Sequence, residues 1–209
     1  MTMTNEHINE HNELRNQYLA KMKEIYEQLI AADLAFWTKN MKQIFADYPV
    51  LETVAWKQGF FYNDENHAFA VNSFTINGLD LKEGNSYFSP RRWRISDFNG
   101  EDIFLLNNQN EEDKKIEEEL RRNRYLEADK RQELTKELRE KYQNLLPAAQ
   151  VVAQFLVNTY NTFGERHFAD TFGRKANVIF GKEGVLIEDY NDGEAMDYGQ
   201  LDDLFEDIN

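Results

Sequence analysis

Two runs rich in β-branched and aromatic residues, VLETVAWKQGFF at 50–61 and HAFAVNSFTI at 67–76, flank the turn formers YNDEN. Such a pair reads as a β-hairpin. In the second run Ala68, Ala70 and Asn72 alternate with Phe69, Val71 and Ser73, and Phe74 then breaks the phase. The break predicts a bulge near Asn72 or Ser73 and two strand faces that are both partly apolar. Near the other end, ANVIF, GKEG and VLIEDY follow one another, with Lys182 and Glu183 between two glycines and Val178, Phe180, Val185 and Ile187 at alternating inward positions. That pattern predicts a second hairpin. The glycine-punctuated region NGLDLKEGNSYFSPRRWRISDFNGEDIFLL predicts short strands at most.

Helical spacing governs the rest. From about Ile8 to Asp47, Leu14, Tyr18, Met22, Ile25, Leu29 and Phe36 form one stripe, and Tyr26, Ile30, Leu34, Trp37, Met41, Ile44 and Tyr48 form another. The second half is thus apolar over a wide arc, and a helix of that kind packs against more than one neighbour. DYPV at 47–50 ends it, because the residue before Pro49 is pushed out of the helical region. Residues 111–146 then turn to strong helix formers, with Glu117 and Arg121, Glu118 and Arg122, Glu127 and Arg131, and Glu137 and Lys141 spaced four apart. This composition predicts a solvated, charged helical projection, doubling back near Glu127 to Asp129. Leu134, Leu138, Tyr142, Leu145, Ala149, Val152, Leu156, Tyr160 and Phe163 hold one stripe straight across Pro147, which predicts a kinked helix or two helices on one surface. The fold class expected is α+β, a single domain over 1–209 with two antiparallel β-hairpins packed with helices, plus a coiled-coil-like projection at 111–146.

The chain has no cysteine, which removes disulfides, thiolate metal sites and a cysteine nucleophile. No run approaches the apolar length of a membrane span, and the first residues lack the basic and apolar parts of a signal peptide. A cytoplasmic protein with no membrane partner is expected. Net charge is −14 and unevenly placed: residues 147–209 carry 4 basic and 12 acidic groups, and no Lys or Arg follows Lys182. Capture of a phosphate backbone needs clustered Lys and Arg, so direct nucleic-acid binding is not expected, and a protein with a basic surface is the natural complement.

Trp56, Gln58, Tyr62, Asn63 and Asp64 are candidates for a partner-binding surface, since aromatic and amide groups at a hairpin tip suit protein contacts. The plainer alternative makes Trp56 core and Asn63 and Asp64 the turn. The acidic tail at 191–209 supplies further candidates in Asp197, Asp202, Asp203, Glu206 and Asp207, with Leu201, Leu204, Phe205 and Ile208 at helical spacing. His67 beside Asp64 and Glu65, or His167 with Glu165 and Asp170, is the candidate metal ligand or general base, without the paired-histidine spacing that specifies a metal site. The RRWR cluster at 91–94 suits stacking and phosphate contact, against the overall acidity. No serine lies in a nucleophile elbow, no Gly-rich strand-to-helix loop is present for phosphate, and no cofactor is expected.

DYPVLETVAWKQGFFYNDENHAFAVN at 47–72 resembles a pattern in uncharacterised phage and bacterial proteins, where a helix ending at Tyr-Pro leads to a Trp-x-Gln strand, Phe/Tyr-Asn-Asp and a second strand. VIFGKEGVLIEDYNDGE at 178–194 is similar to the C-terminal hairpin and acidic tail of the same proteins. The chain departs from the pattern in the first turn, where Glu65 and Asn66 replace Gly-Asp. The resemblance implies a fold arrangement and a phage or mobile-element origin, and brings no activity. The reading that follows is a non-enzymatic acidic interaction protein, phage-related, that binds and modulates a basic host protein, with nucleic-acid mimicry as its sharpest form. A small metal-dependent enzyme using His67 or His167 and a virion structural protein are the alternatives.

Overall fold

Pro49 ends the first helix where the sequence places the stop: α1 runs Asn5–Asp47, and the chain enters its first strand at Thr53. The computed structural model describes residues 5–63, 66–84, 86–122 and 128–189, with the side chains of 5–6, 60–63 and 66–68 outside that description. After α1 come β1 (Thr53–Asn63), β2 (Asn66–Ile76), β3 (Leu79–Glu83), β4 (Ser86–Tyr87), a 3-10 turn at Pro90–Arg92, and β5 (Ile103–Leu106). Helices α2 (Glu111–Arg122), α3 (Ala128–Lys141) and α4 (Leu146–Phe172) follow, then β6 (Ala176–Gly181) and β7 (Gly184–Glu188). The architecture is α+β. Among the described residues no helix is long and apolar enough to cross a membrane.

Both predicted hairpins form, and they join. β1 pairs antiparallel with β2 on one side and with β6 on the other, so the sheet runs β4-β3-β2-β1-β6-β7, with β5 paired to β3. The register of β1 against β2 shifts between Ala55, which faces Thr75, and Lys57, which faces Asn72. The extra residue in β2 coincides with Ser73 in the left-handed region at φ 53°, the bulge that the phase break announces. Its consequence is that Phe69, Val71, Phe74 and Ile76 all reach the buried side despite the broken alternation.

The main core lies between the sheet and helices α1 and α4. Trp37 and Met41 from α1, Val152, Leu156, Phe168 and Phe172 from α4, and Trp56, Phe74, Val178 and Phe180 from the strands are all buried. Trp37 and Trp56 sit with ring centroids 5.4 Å apart. Burying each large side chain contributes roughly 1.5–3 kcal/mol, enough for this cluster to dominate the fold. Pro147 stands in the first turn of α4, so the apolar stripe across it belongs to two helices, as one of the two sequence options has it.

β5 is buried on both faces, and this fixes the charged segment. Ile103 and Leu105 join the main core, while Phe104 and Leu106 form a second cluster with Ile116, Leu120 and Leu138. α2 and α3 are a charged helical pair, tied to each other by Lys130 and Glu119; of the reversal predicted near Glu127 to Asp129, Glu127 lies outside the described residues and Asp129 is already in α3. They do not project freely. The three apolar residues seat them on β5, and the buried Asp113 accepts hydrogen bonds from the Asn107 amide at 2.9 Å, Lys141 Nζ at 2.6 Å and the Tyr142 hydroxyl at 2.6 Å.

Candidate functional site

The side chains singled out in β1 turn inward. Trp56 and Gln58 are both buried, and the Gln58 carboxamide closes a polar knot: it accepts from Trp56 Nε1 at 3.0 Å and donates to the carbonyls of Phe168, at 2.9 Å, and Gly173. Period-2 alternation puts both residues on one strand face, and that face meets α4. Their burial removes them from any partner-binding surface. The side chains of Tyr62, Asn63, Asp64 and His67 lie outside the described residues, as do Asp197, Asp202, Asp203, Glu206 and Asp207.

His167 is buried and fully engaged. Its Nε2 accepts from Trp37 Nε1 at 2.9 Å, and its Nδ1 stands 3.3 Å from Asp33 Oδ2. Both ring nitrogens thus have partners and neither offers a free lone pair to a metal. The neighbours expected from sequence do not converge on it. Glu165 accepts from the Tyr160 hydroxyl at 2.7 Å and pairs with Arg91 at 3.3 Å, while Asp170 receives the Tyr26 hydroxyl at 3.2 Å. Asp33, from the distant α1, is the carboxylate that sequence spacing had no means of finding. Among the described residues no group of three or more His, Asp or Glu is placed to hold a metal.

The surface that stands out is the outer half of α1. The helix has 43 residues, about 65 Å at 1.5 Å per residue. Its second stripe packs inward: Trp37 and Met41 are buried, with Leu34 packed against the same core. The first stripe has no such neighbour as far as Leu29: Leu14, Tyr18, Met22, Ile25 and Leu29 are exposed at 51–66%, as is Ile8 at 43%, and its last member, Phe36, packs against the core. Among the described residues, no hydrogen bond, ion pair or ring contact ties 5–25 to another element, and the first anchor is Tyr26 to Asp170. Beyond Leu29 both stripes pack on the core, Phe36 from one and Leu34, Trp37 and Met41 from the other, as the wide apolar arc of the helix's second half predicts.

A second feature is a cavity of about 470 Å³ between β2, β3, β4, β5 and α2. Its apolar lining comes from Val71, Phe88, Phe104 and Leu120, all buried. Lys82 lies inside, 3% exposed, with Nζ 2.8 Å from Glu117 Oε1 and 3.2 Å from the Tyr87 ring centroid. Arg92 and Arg121 line it while remaining exposed. Of the RRWR cluster, Arg92 is the member that lines it. The inward turn of Lys82 had no sequence signal, since a lysine in a short strand ordinarily marks the solvent side.

No family model matches the chain, and no curated protein and no solved structure shows significant similarity to it.

Proposed function

We propose that this chain is a non-enzymatic, phage-related interaction protein that acts in the host cytoplasm by holding a basic protein partner against the outer half of α1. The observation that carries this reading is the exposed row Leu14, Tyr18, Met22, Ile25 and Leu29 on a helix whose outer part has no anchor among the described residues. Together these side chains present an apolar patch of several hundred Å², the size at which a surface ordinarily serves association. Spacing of three and four along a helix suits a partner helix packed alongside. Charge selects that partner. The chain carries −14, and Glu10, Glu13, Glu24 and Glu27 outnumber Arg15, Lys21 and Lys23 on the arm itself. The occupant is accordingly an amphipathic helix with basic flanks, drawn in by long-range attraction and held by apolar contact.

A photo-crosslinking amino acid at Met22, compared with one at the exposed Lys115 on α2, tests the proposal in host extract. A basic protein trapped from position 22 and not from position 115, in a yield that falls with added salt, supports it. Equal trapping from both positions, or a salt-indifferent neutral or acidic protein, overturns it.

A further inference from the structure

We propose that the cavity around Lys82 binds a small organic anion, a carboxylate or phosphate group carried on a flat apolar body. Its volume, about 470 Å³, falls in the range of roughly 300–1,000 Å³ typical of small-molecule sites. The charge inside is opposite in sign to that of the chain. Lys82, Arg92 and Arg121 meet there with Glu117 as the single carboxylate of the lining, in a protein of net charge −14.

The three cations are not equivalent. Lys82 is satisfied within the protein, paired with Glu117 and covered by the Tyr87 ring, so its burial needs no ligand to explain it. Arg92 and Arg121 form no ion pair among the described residues, although Glu83 lies within reach of the field of Arg92. Their guanidinium forks match a carboxylate or phosphate in two parallel hydrogen bonds. Below them the ring of Tyr87, 46% exposed, and the buried side chains of Val71, Phe88, Phe104 and Leu120 offer a flat group an apolar seat. The anionic end is thereby held by the two arginines and the apolar body by the lining, with Lys82 and Glu117 fixing α2 against β3 between them.

Titration of the full chain with phenyl phosphate and with benzoate, followed by backbone amide shifts, tests this. Saturable shifts confined to 70–72, Lys82, 86–92, 104–106 and 117–121 are expected. Arg92→Gln with Arg121→Gln should weaken both anions by about tenfold or more, since each exchanges a charge-assisted contact for a neutral one. Both arginines are exposed, so the doubly substituted chain should melt like the wild type, and the melt confirms that any loss is local. Inorganic phosphate, lacking the apolar body, and benzyl alcohol, lacking the charge, should each bind at least about tenfold more weakly than the combined probes. The proposal is overturned by the absence of saturable binding for both anions, by affinity unchanged in the double variant, or by benzyl alcohol binding as tightly as benzoate. The Lys82–Glu117 pair would then be a purely structural clasp.

Discussion

Trp37 Nε1 donates to His167 Nε2 at 2.9 Å, joining α1 to α4 through the middle of the core. The same imidazole stands 3.3 Å from Asp33 on its Nδ1 side, an arrangement that assigns its proton to Nδ1. Burial pushes the ring's pKa below its ordinary value and outweighs the opposing pull of Asp33 and Asp170. In the unfolded chain the ring takes up a proton near pH 6.5, about its ordinary value. Between that value and the lower folded one, the unfolded state binds the extra proton, so stability is lost as pH falls below about 6.5. The melting temperature should drop between about pH 7.5 and 5.5. His167→Gln should melt lower at the upper pH and show a flatter profile through this window. A wild-type profile retained in the variant would assign the titration elsewhere.

Gln58 joins three groups, the buried Trp56 indole, the carbonyl of the buried Phe168 and the carbonyl of Gly173 at the exposed end of α4. Gln58→Leu keeps the bulk and strands the buried Trp56 and Phe168 groups, at a cost of about 2–4 kcal/mol. Trp56→Ala, which empties a core site instead, should cost about 3–5 kcal/mol. Equilibrium denaturation measures both, and a loss under about 1 kcal/mol in either would show that the knot is not what holds β1 to α4.

Asp113 of α2 gathers the turn after β5 and the C-terminal end of α3. Burial pushes its carboxyl up, but the hydrogen bonds from Lys141, Tyr142 and the Asn107 amide win and hold it below the usual range. Asp113→Ala leaves Lys141 and Tyr142 facing an empty site and should destabilise the protein by about 3–5 kcal/mol. The stabilisation is present above the ordinary carboxylate pKa of about 3.9 and lost as pH falls through the folded value, so the variant's acid unfolding should be less steep. Equal acid sensitivity in the two proteins would contradict this.

Replacing 111–133 by a flexible linker carries a related expectation. The charge pattern alone makes the segment an appendage whose loss leaves a cooperative transition. Ile116 and Leu120 cover Phe104 and Leu106, however, so removing them bares the second apolar cluster. The shortened chain should unfold at lower denaturant and bind a hydrophobic dye that the wild type does not. A wild-type midpoint would restore the appendage view.

Local signals in the sequence were enough for the hairpins, the stop at Pro49, the bulge at Ser73 and the break before α4. Each rests on residues adjacent in the chain: turn formers between β-rich runs, a proline, a broken alternation. What stayed hidden depends on residues far apart. The region that holds Ile103–Leu106 promises short strands at most, yet four consecutive buried residues in a strand require cover on both faces, the main core on one and the charged helix pair on the other. Asp33 reaches His167 across 134 positions, a pairing that spacing does not encode. The apolar row of α1 was visible as a stripe, but periodicity reports only that a face is apolar and not whether the fold supplies its neighbour.

The role of α1 is tested most directly by the affinity of the partner trapped from position 22 for the wild type and for Tyr18→Glu with Ile25→Glu. Both residues are 66% exposed, so the substitutions should leave the melting temperature unchanged while placing charge in the middle of the contact. Affinity should fall by at least about tenfold, the loss expected when central apolar contacts are replaced by unpaired carboxylates. An affinity equal to that of the wild type, with the fold intact, would contradict the assignment of α1 as the docking surface.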